Sequence, residues 1–138
     1  MAAALSESLD KLRKSSELLN AITEEANHTV QSVENFLAKI SIGVEGYANV
    51  WTDEDTDERC ILSYRRVNGR FRIAVTHGTC PDDEVFKAWA ECSREEKLET
   101  ISKLPDLVDN IATQAEESAA KALESVQAVK QVLNKLEN

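Results

Sequence analysis

Apolar residues follow two different periods along this chain. Between residues 5 and 40 they recur in alternating steps of four and three, the heptad pattern of a helix with one apolar stripe. No proline or glycine interrupts this run, and Gly43 follows it as a stop signal. The pattern predicts one long helix from Ser6 to Ile40. Its stripe consists of Leu5, Leu9, Leu12, Ser16, Leu19, Thr23, Ala26, Val30, Val33, Leu37 and Ile40.

The period changes to two between residues 43 and 78, where apolar and polar residues alternate as they do in β-strands. The pair Asn68-Gly69 lies between two such runs and predicts a two-residue type I′ hairpin, because both turn positions need a positive φ. We therefore expect a three-stranded antiparallel meander. Its strands are Val44–Trp51, Arg59–Val67 and Arg70–His77.

The hairpin fixes the register of strands two and three. The predicted pairs are Arg66 with Phe71, Tyr64 with Ile73, Leu62 with Val75, Cys60 with His77, Arg65 with Arg72, Ser63 with Ala74 and Ile61 with Thr76. If strand one places Trp51 opposite Arg59, one face of the meander is apolar and forms the core face. The outer face then carries five possible partner-binding residues, Tyr47, Trp51, Arg59, Arg65 and Arg72.

Residues 79–138 return to a helical pattern. We predict a short helix at Glu84–Ala90, capped by Asp82 or Asp83, and a second helix that starts at the capping box Ser93-Arg94-Glu95-Glu96. Pro105 either kinks this helix or restarts it, and a restart is favoured because the residue before proline avoids the α region. A long helix follows. Its stripe repeats every seven residues at Ile101, Val108, Ala115, Ala122, Val129 and Leu136.

Together these elements predict an α+β fold in a single domain with bundle-like or coiled-coil-like helix packing. Residues 1–42 form the long helix, 43–78 the meander and 79–138 the helical segment. A three-stranded sheet is too small to cover both stripes, and monomers rarely expose long apolar stripes. We therefore expect a homodimer with a shared helical bundle. The alternative is an antiparallel pair within one chain, in contact at residues 16–26 and 112–122.

The charge balance narrows the possible partners. The chain of 138 residues has a formal net charge of −9, and 13 of its 25 acidic residues, against 7 basic ones, lie in residues 79–138. An acidic protein repels nucleic acid phosphates and anionic lipid heads, so we expect neither nucleic acid nor membrane as a partner. No apolar run reaches the ~20 residues of a membrane span. Three cysteines without a C-x-x-C pair, and no signal-peptide pattern, favour a cytoplasmic location.

Two side-chain groups are candidates for chemistry. The outer-face arginines, with Tyr47 and Trp51, suit an anionic or acidic partner; alternatively they pair with Glu45, with the acidic loop Asp53–Glu58 or with acidic residues of a second subunit. The predicted register also brings Cys60 beside His77, close to Cys80. Pairs of zinc ligands are usually separated by only two to four residues in the sequence, and of these residues only His77-x-x-Cys80 has that spacing. Cys92 is the remaining member of this cysteine–histidine group. We therefore expect no metal.

No glycine-rich phosphate loop, G-x-S-x-G or H-E-x-x-H motif is present. We accordingly expect no cofactor and no enzymatic activity. The sequence favours a non-enzymatic protein–protein interaction or adaptor protein that acts as a homodimer and also binds an unknown protein. The alternative is a binder of a small anionic or amphipathic ligand at the junction of sheet and helix.

The motifs that follow the meander occur in a recognisable order. Trp89 is followed by the capping box at Ser93, by Leu104-Pro105-Asp106-Leu107 and by a long helix. This order resembles a type of small bacterial protein of unknown function, over residues 30–125. The resemblance implies a bacterial source and the same order of helix, meander and helix. It implies no activity and no functional residue.

Overall fold

The structure, a computed structural model, describes residues 2–79 and 84–137. Its four strands form one antiparallel sheet in which the strands are neighbours in chain order. The α+β class is therefore confirmed, with one strand more than expected. Within the described ranges, no helix is both long and apolar enough to cross a membrane. The elements are α1 (Ala2–Lys39), β1 (Gly46–Thr52), β2 (Glu58–Val67), β3 (Arg70–Thr79), β4 (Val85–Ala88), a 3-10 turn (Trp89–Glu91), α2 (Arg94–Thr100), a second 3-10 turn (Ile101–Lys103) and α3 (Leu104–Glu137).

The hairpin between β2 and β3 forms as its Asn-Gly pair predicts. Asn68 has a φ of 52° and Gly69 has a φ of 89°. These are the two positive angles that a type I′ turn requires. Every cross-strand pair predicted for this hairpin is present, including Arg65 opposite Arg72. The local turn signal therefore sets the register of the two longest strands.

Strand β1 departs from the expected register near its end. The pairing follows the prediction as far as Asn49, and the register then shifts between Asn49 and Trp51. Trp51 lies opposite Cys60 instead of Arg59. An extra residue in one strand turns the following side chains to the other face of the sheet. Trp51 therefore packs against the core on the helix-covered face, and its predicted place on the outer face is wrong.

The predicted helix at Glu84–Ala90 is also wrong, since most of this segment forms β4. The strand pairs with the free edge of β3 and places Phe86 opposite Thr76. Valine and phenylalanine favour strands, and the edge of β3 offers hydrogen-bonding groups that a short isolated helix lacks. The caps predicted at Asp82 or Asp83 lie outside the described residues.

The core fills the space between one sheet face and the helices. Trp89 is 1% exposed, and its Nε1 donates a 2.9 Å hydrogen bond to Thr100 Oγ1. This bond satisfies the polar atom of a fully buried indole. The other large core residues come from the sheet, from the second half of α1 and from the first half of α3. They are Leu62, Tyr64, Ile73, Val75, Val30, Leu37, Leu104, Leu107 and Ile111.

A new helix begins at Leu104, beside Pro105, although Leu104 itself has α-region angles (φ −58°, ψ −44°), so the expected avoidance of the α region before proline is not observed. The capping box is formed: Ser93 Oγ accepts a hydrogen bond from the Glu96 amide (3.2 Å), and the Glu96 carboxylate accepts one from the Ser93 amide (3.4 Å). Helix α2 ends at Thr100, and a 3-10 turn separates it from α3, which begins at Leu104. Pro105 thus lies in the first turn of α3, where its missing N–H costs no helical hydrogen bond.

Helix α1 runs along the sheet from its His77 end towards the β2–β3 hairpin. Near the His77 end, where α2 packs, Asn27 accepts a 2.8 Å hydrogen bond from Lys97 of α2. One to two turns later, Glu34 lies 3.7 Å from Arg72, close to the hairpin. The part of α1 that precedes these contacts therefore projects beyond the His77 end of the sheet.

Helix α3 runs in the same direction on the same face of the sheet, along the β1 edge. Just before it begins, Glu99 accepts a hydrogen bond from the Trp51 indole, at the far end of β1. By Asn110 the helix has reached the start of β1, where the Asn110 side chain accepts a 2.9 Å hydrogen bond from the Tyr47 amide. The later part of α3 therefore projects beyond the hairpin end.

These contacts define two projecting halves, residues 2–22 of α1 and residues 116–137 of α3. Every described residue in both segments is exposed to solvent. Because the two helices run in the same direction, the halves leave the sheet at opposite ends. The alternative of an antiparallel pair within one chain, in contact at residues 16–26 and 112–122, is therefore wrong.

Candidate functional site

Both long helices pack on one face of the sheet, and the opposite face carries the arginines singled out in the sequence. A groove of about 530 Å³ crosses this outer face. Tyr47, Arg59 and Arg65 line the groove. Ser63 and Thr76, which also line it, are 7% and 3% exposed, so they form its floor. Three of the five predicted partner-binding residues thus lie together.

The guanidinium group of Arg65 contacts an aromatic ring from β4. Its guanidinium carbon lies 3.7 Å from the centroid of the Phe86 ring, within the range of a cation–π contact. Its Nε is buried and has no hydrogen-bond partner among the described residues. The sequence prediction missed Phe86 because it assigned this residue to a helix. The strand-forming pair Val85-Phe86 next to an unpaired strand edge was the available signal.

Arg59 pairs with a carboxylate from the segment before β4. Its Nε donates a 2.9 Å hydrogen bond to Glu84 Oε1, and its Nη2 contacts the same oxygen. Among the described residues, the groove is lined by two arginines and by two carboxylates, those of Glu45 and Glu84.

Arg72 turns away from this groove towards α1. It lies opposite Arg65 in the sheet, but its Nε is 3.7 Å from Glu34 Oε2 and lines a different cavity. Burial raises the pKa of the Glu34 carboxyl, and the Arg72 charge only partly offsets this effect. Among the described residues, the acidic partner of Arg72 is thus Glu34 of α1, and the expected pairing with Glu45 or with the acidic loop Asp53–Glu58 is not seen there.

The predicted cysteine–histidine neighbours do meet on the core face. Cys60 Sγ lies 4.0 Å from His77 Nε2, and the same nitrogen is 3.2 Å from Glu96 Oε2. Glu96 also contacts Lys87 Nζ at 3.0 Å, a hydrogen bond that lowers the pKa of the Glu96 carboxyl. His77 therefore lies between a thiol and a carboxylate that is already paired with a lysine.

The thiols in this region are held in the protonated form. Burial raises the pKa of Cys60 to about 11, and the Glu99 and Glu96 carboxylates add to this effect. Burial also raises the pKa of Cys92 to about 11. A nucleophilic or metal-binding cysteine needs the thiolate form, which is scarce here at neutral pH.

The same cysteine and histidine residues are the candidate metal ligands of the sequence. Across residues 2–79 and 84–137, no cluster of three or more histidine, cysteine, aspartate or glutamate side chains could hold a metal ion. Cys80, which belongs to the His77-x-x-Cys80 spacing, lies outside the described residues. The predicted absence of a metal stays a prediction.

A second groove lies between the two long helices. It has a volume of about 390 Å³ and is lined mainly by apolar side chains, with Val33 and Phe36 on α1 and Val108 on α3. Phe36 is 58% exposed and Val108 is 37% exposed. Val33 belongs to the heptad stripe of α1 and Val108 to that of α3, so the two stripes meet at this groove.

The largest exposed apolar surfaces lie on the projecting halves. Leu12 is 65% exposed and Val129 is 58% exposed, although both occupy stripe positions. Ten other large apolar residues on these halves are at least 38% exposed. They are Leu5, Leu9, Leu18, Leu19, Ile22, Leu123, Val126, Val132, Leu133 and Leu136.

Comparisons of this chain with protein-family models, with curated proteins and with solved structures give no match. The resemblance to small bacterial proteins therefore stays a prediction, and the geometry of the chain is the basis for a functional proposal.

Proposed function

We propose that this protein is a non-enzymatic interaction or adaptor protein that works as a homodimer. The observation that carries the proposal is the exposure of both heptad stripes on the projecting halves of α1 and α3. In proteins, most of the stability of a helix comes from packing its apolar face. A second copy of the chain supplies that packing.

The exposed area approaches that of a stable dimer interface. Fully burying one leucine or valine removes roughly 60–120 Å² of apolar surface, at about 25 cal/mol per Å². Twelve large apolar side chains on the projecting halves are between 38% and 77% exposed, so each chain offers at most roughly 600 Å². Two chains together would reach the ~1,200 Å² at which specific stable interfaces begin if all twelve were buried, including Leu18, Leu123 and Val132 beside the stripes.

The remaining parts of the proposal rest on the sheet and the thiols. The outer face of the sheet, with Tyr47, Arg59 and Arg65, stays available to a further protein partner, since these residue types serve as interface anchors. Cys60 and Cys92 are buried free thiols, which suits a reducing cytoplasm. Their raised pKa values argue against thiol catalysis.

Light scattering combined with circular dichroism tests the dimer. The unsubstituted protein should have the mass of two chains at micromolar concentration and should lose helicity on dilution. The variant Leu12→Glu/Leu19→Glu places two charges in the α1 stripe and should be monomeric. It should keep a folded sheet, because neither leucine contributes to the core.

The matched control is Ala3→Glu/Ala21→Glu. It adds the same two charges to the same helix on the side away from the stripe, and it should remain dimeric. A wild-type protein that is monomeric at micromolar concentration, with helicity unchanged on dilution, would rule out the dimer.

One observation favours a second candidate function, the binding of a small ligand in the outer-face groove. The groove lies at a junction of sheet and helix, because Gln114 of α3 borders it. The buried Arg65 Nε has no hydrogen-bond partner in the part of the chain that the structure describes, and a carboxylate or carbonyl oxygen of a ligand would satisfy it. Native mass spectrometry of protein purified without refolding tests this candidate. A retained small mass that is lost in Arg65→Lys supports it, and a bare polypeptide mass contradicts it.

A further inference from the structure

The direction of the two long helices determines which surfaces a second copy can cover. The projecting halves, residues 2–22 and 116–137, leave the sheet at opposite ends. At 1.5 Å per residue, both are about 32 Å long. They therefore do not cover each other within one chain.

We infer that two copies form an antiparallel two-fold dimer in which the projecting half of α1 packs against the projecting half of α3 from the second copy. This inference rests on the proposed dimerisation. A two-fold axis perpendicular to the helices makes the second copy point in the opposite direction. The projecting half of its α3 therefore lies beside the projecting half of the first copy's α1, beyond the His77 end of the first copy's sheet. One closed interface then covers both stripes of both chains.

The side chains along the two stripes match in this arrangement. In α1 the stripe is small or polar near the sheet, at Ser16 and Thr23, and leucine-rich towards the tip. In α3 it is also small near the sheet, at Ala115 and Ala122, and larger towards the tip. When the α1 half of one chain packs antiparallel on the α3 half of the other, the small residues near the sheet lie beside each other. The large residues near the free ends of the two helices also lie beside each other.

Two further features favour the antiparallel pair over like-with-like pairing. The N-terminus of α1 lies beside the C-terminus of the second copy's α3, so the opposite ends of the two helix dipoles are adjacent. In addition, the α1–α3 groove at Val33, Phe36 and Val108 joins the two stripes into one continuous apolar surface. A second copy laid across this surface fills the groove at the centre of the interface.

Cysteine crosslinking distinguishes the pairings. Leu12→Cys and Val129→Cys place thiols near the middle of the two projecting halves, in a background with Cys80→Ser. A short bismaleimide crosslinker, which tolerates a shift of one helical turn, should convert the doubly substituted protein into a covalent dimer. Each single variant should give several-fold less. The matched control, Lys14→Cys/Glu124→Cys, carries its thiols on the outer sides of the same helices and should also give several-fold less.

The alternative results separate the inference from the proposal beneath it. An efficient covalent dimer from Leu12→Cys alone or from Val129→Cys alone would mean that like halves pair, which overturns the inference and leaves the homodimer intact. A monomeric mass for the unsubstituted protein by light scattering would overturn both.

Discussion

Replacing Gly46 by alanine tests the packing that directs α3 along the sheet. A Cβ at this position would lie 2.5 Å from Ile111 Cγ1 and 3.1 Å from the Ile111 backbone nitrogen. It would also lie 3.2 Å from Asn110 Oδ1, the atom that accepts the hydrogen bond from the Tyr47 amide. Since Ile111 is only 2% exposed, its side chain has little room to move.

The expected loss follows from these contacts. Overpacking a core costs about 1–3 kcal/mol, and weakening the Asn110–Tyr47 hydrogen bond adds about 1 kcal/mol. Gly46→Ala should therefore lower the free energy of unfolding by about 2–4 kcal/mol. This sign is the reverse of the usual gain of about 0.4–1 kcal/mol when a glycine in an ordinary conformation becomes alanine.

Urea unfolding followed by circular dichroism, at one fixed protein concentration, measures this loss. Asn110→Ala is the control that removes only the hydrogen bond, and it should cost about 1 kcal/mol. The double variant Gly46→Ala/Ile111→Ala should lose less than the sum of the single losses, because Ile111 Cγ1 is absent. If Gly46→Ala is as stable as the unsubstituted protein, α3 does not pack closely on β1 and does not run along it in the direction described.

Two further predictions concern residues on the core face. Trp51→Ala should lower the free energy of unfolding by about 1–3 kcal/mol in urea titrations, because Trp51 packs on the core and contacts Glu99; an unchanged midpoint would return it to the outer face. Cys60 and Cys92 have pKa values raised to about 11, so at pH 8 iodoacetamide should alkylate them slowly in native protein and rapidly in urea. Mass spectrometry of peptides measures the extent of alkylation, and equal alkylation rates in native protein and in urea would contradict the burial of the two thiols.

The candidate site was predictable only in part. The hairpin register follows from local chemistry at Asn68-Gly69, so it correctly placed Arg65 on the outer face. The predicted position of Trp51 was wrong because a one-residue register shift has no clear sequence signal in an otherwise alternating strand. The contact between Arg65 and Phe86 was missed because it depends on β4 joining the edge of β3.

Elements with local signals could be read from the chain alone. The long heptad helices, the Asn-Gly hairpin and the capping box at Ser93 each depend on residues within a few positions of one another. The fourth strand and the common direction of α1 and α3 emerge only when distant segments pack together. These features depend on which distant surfaces meet, as Gly46 of β1 meets Ile111 of α3. A periodic stripe in the sequence shows that a helix has an apolar face, but it does not indicate which surface covers that face.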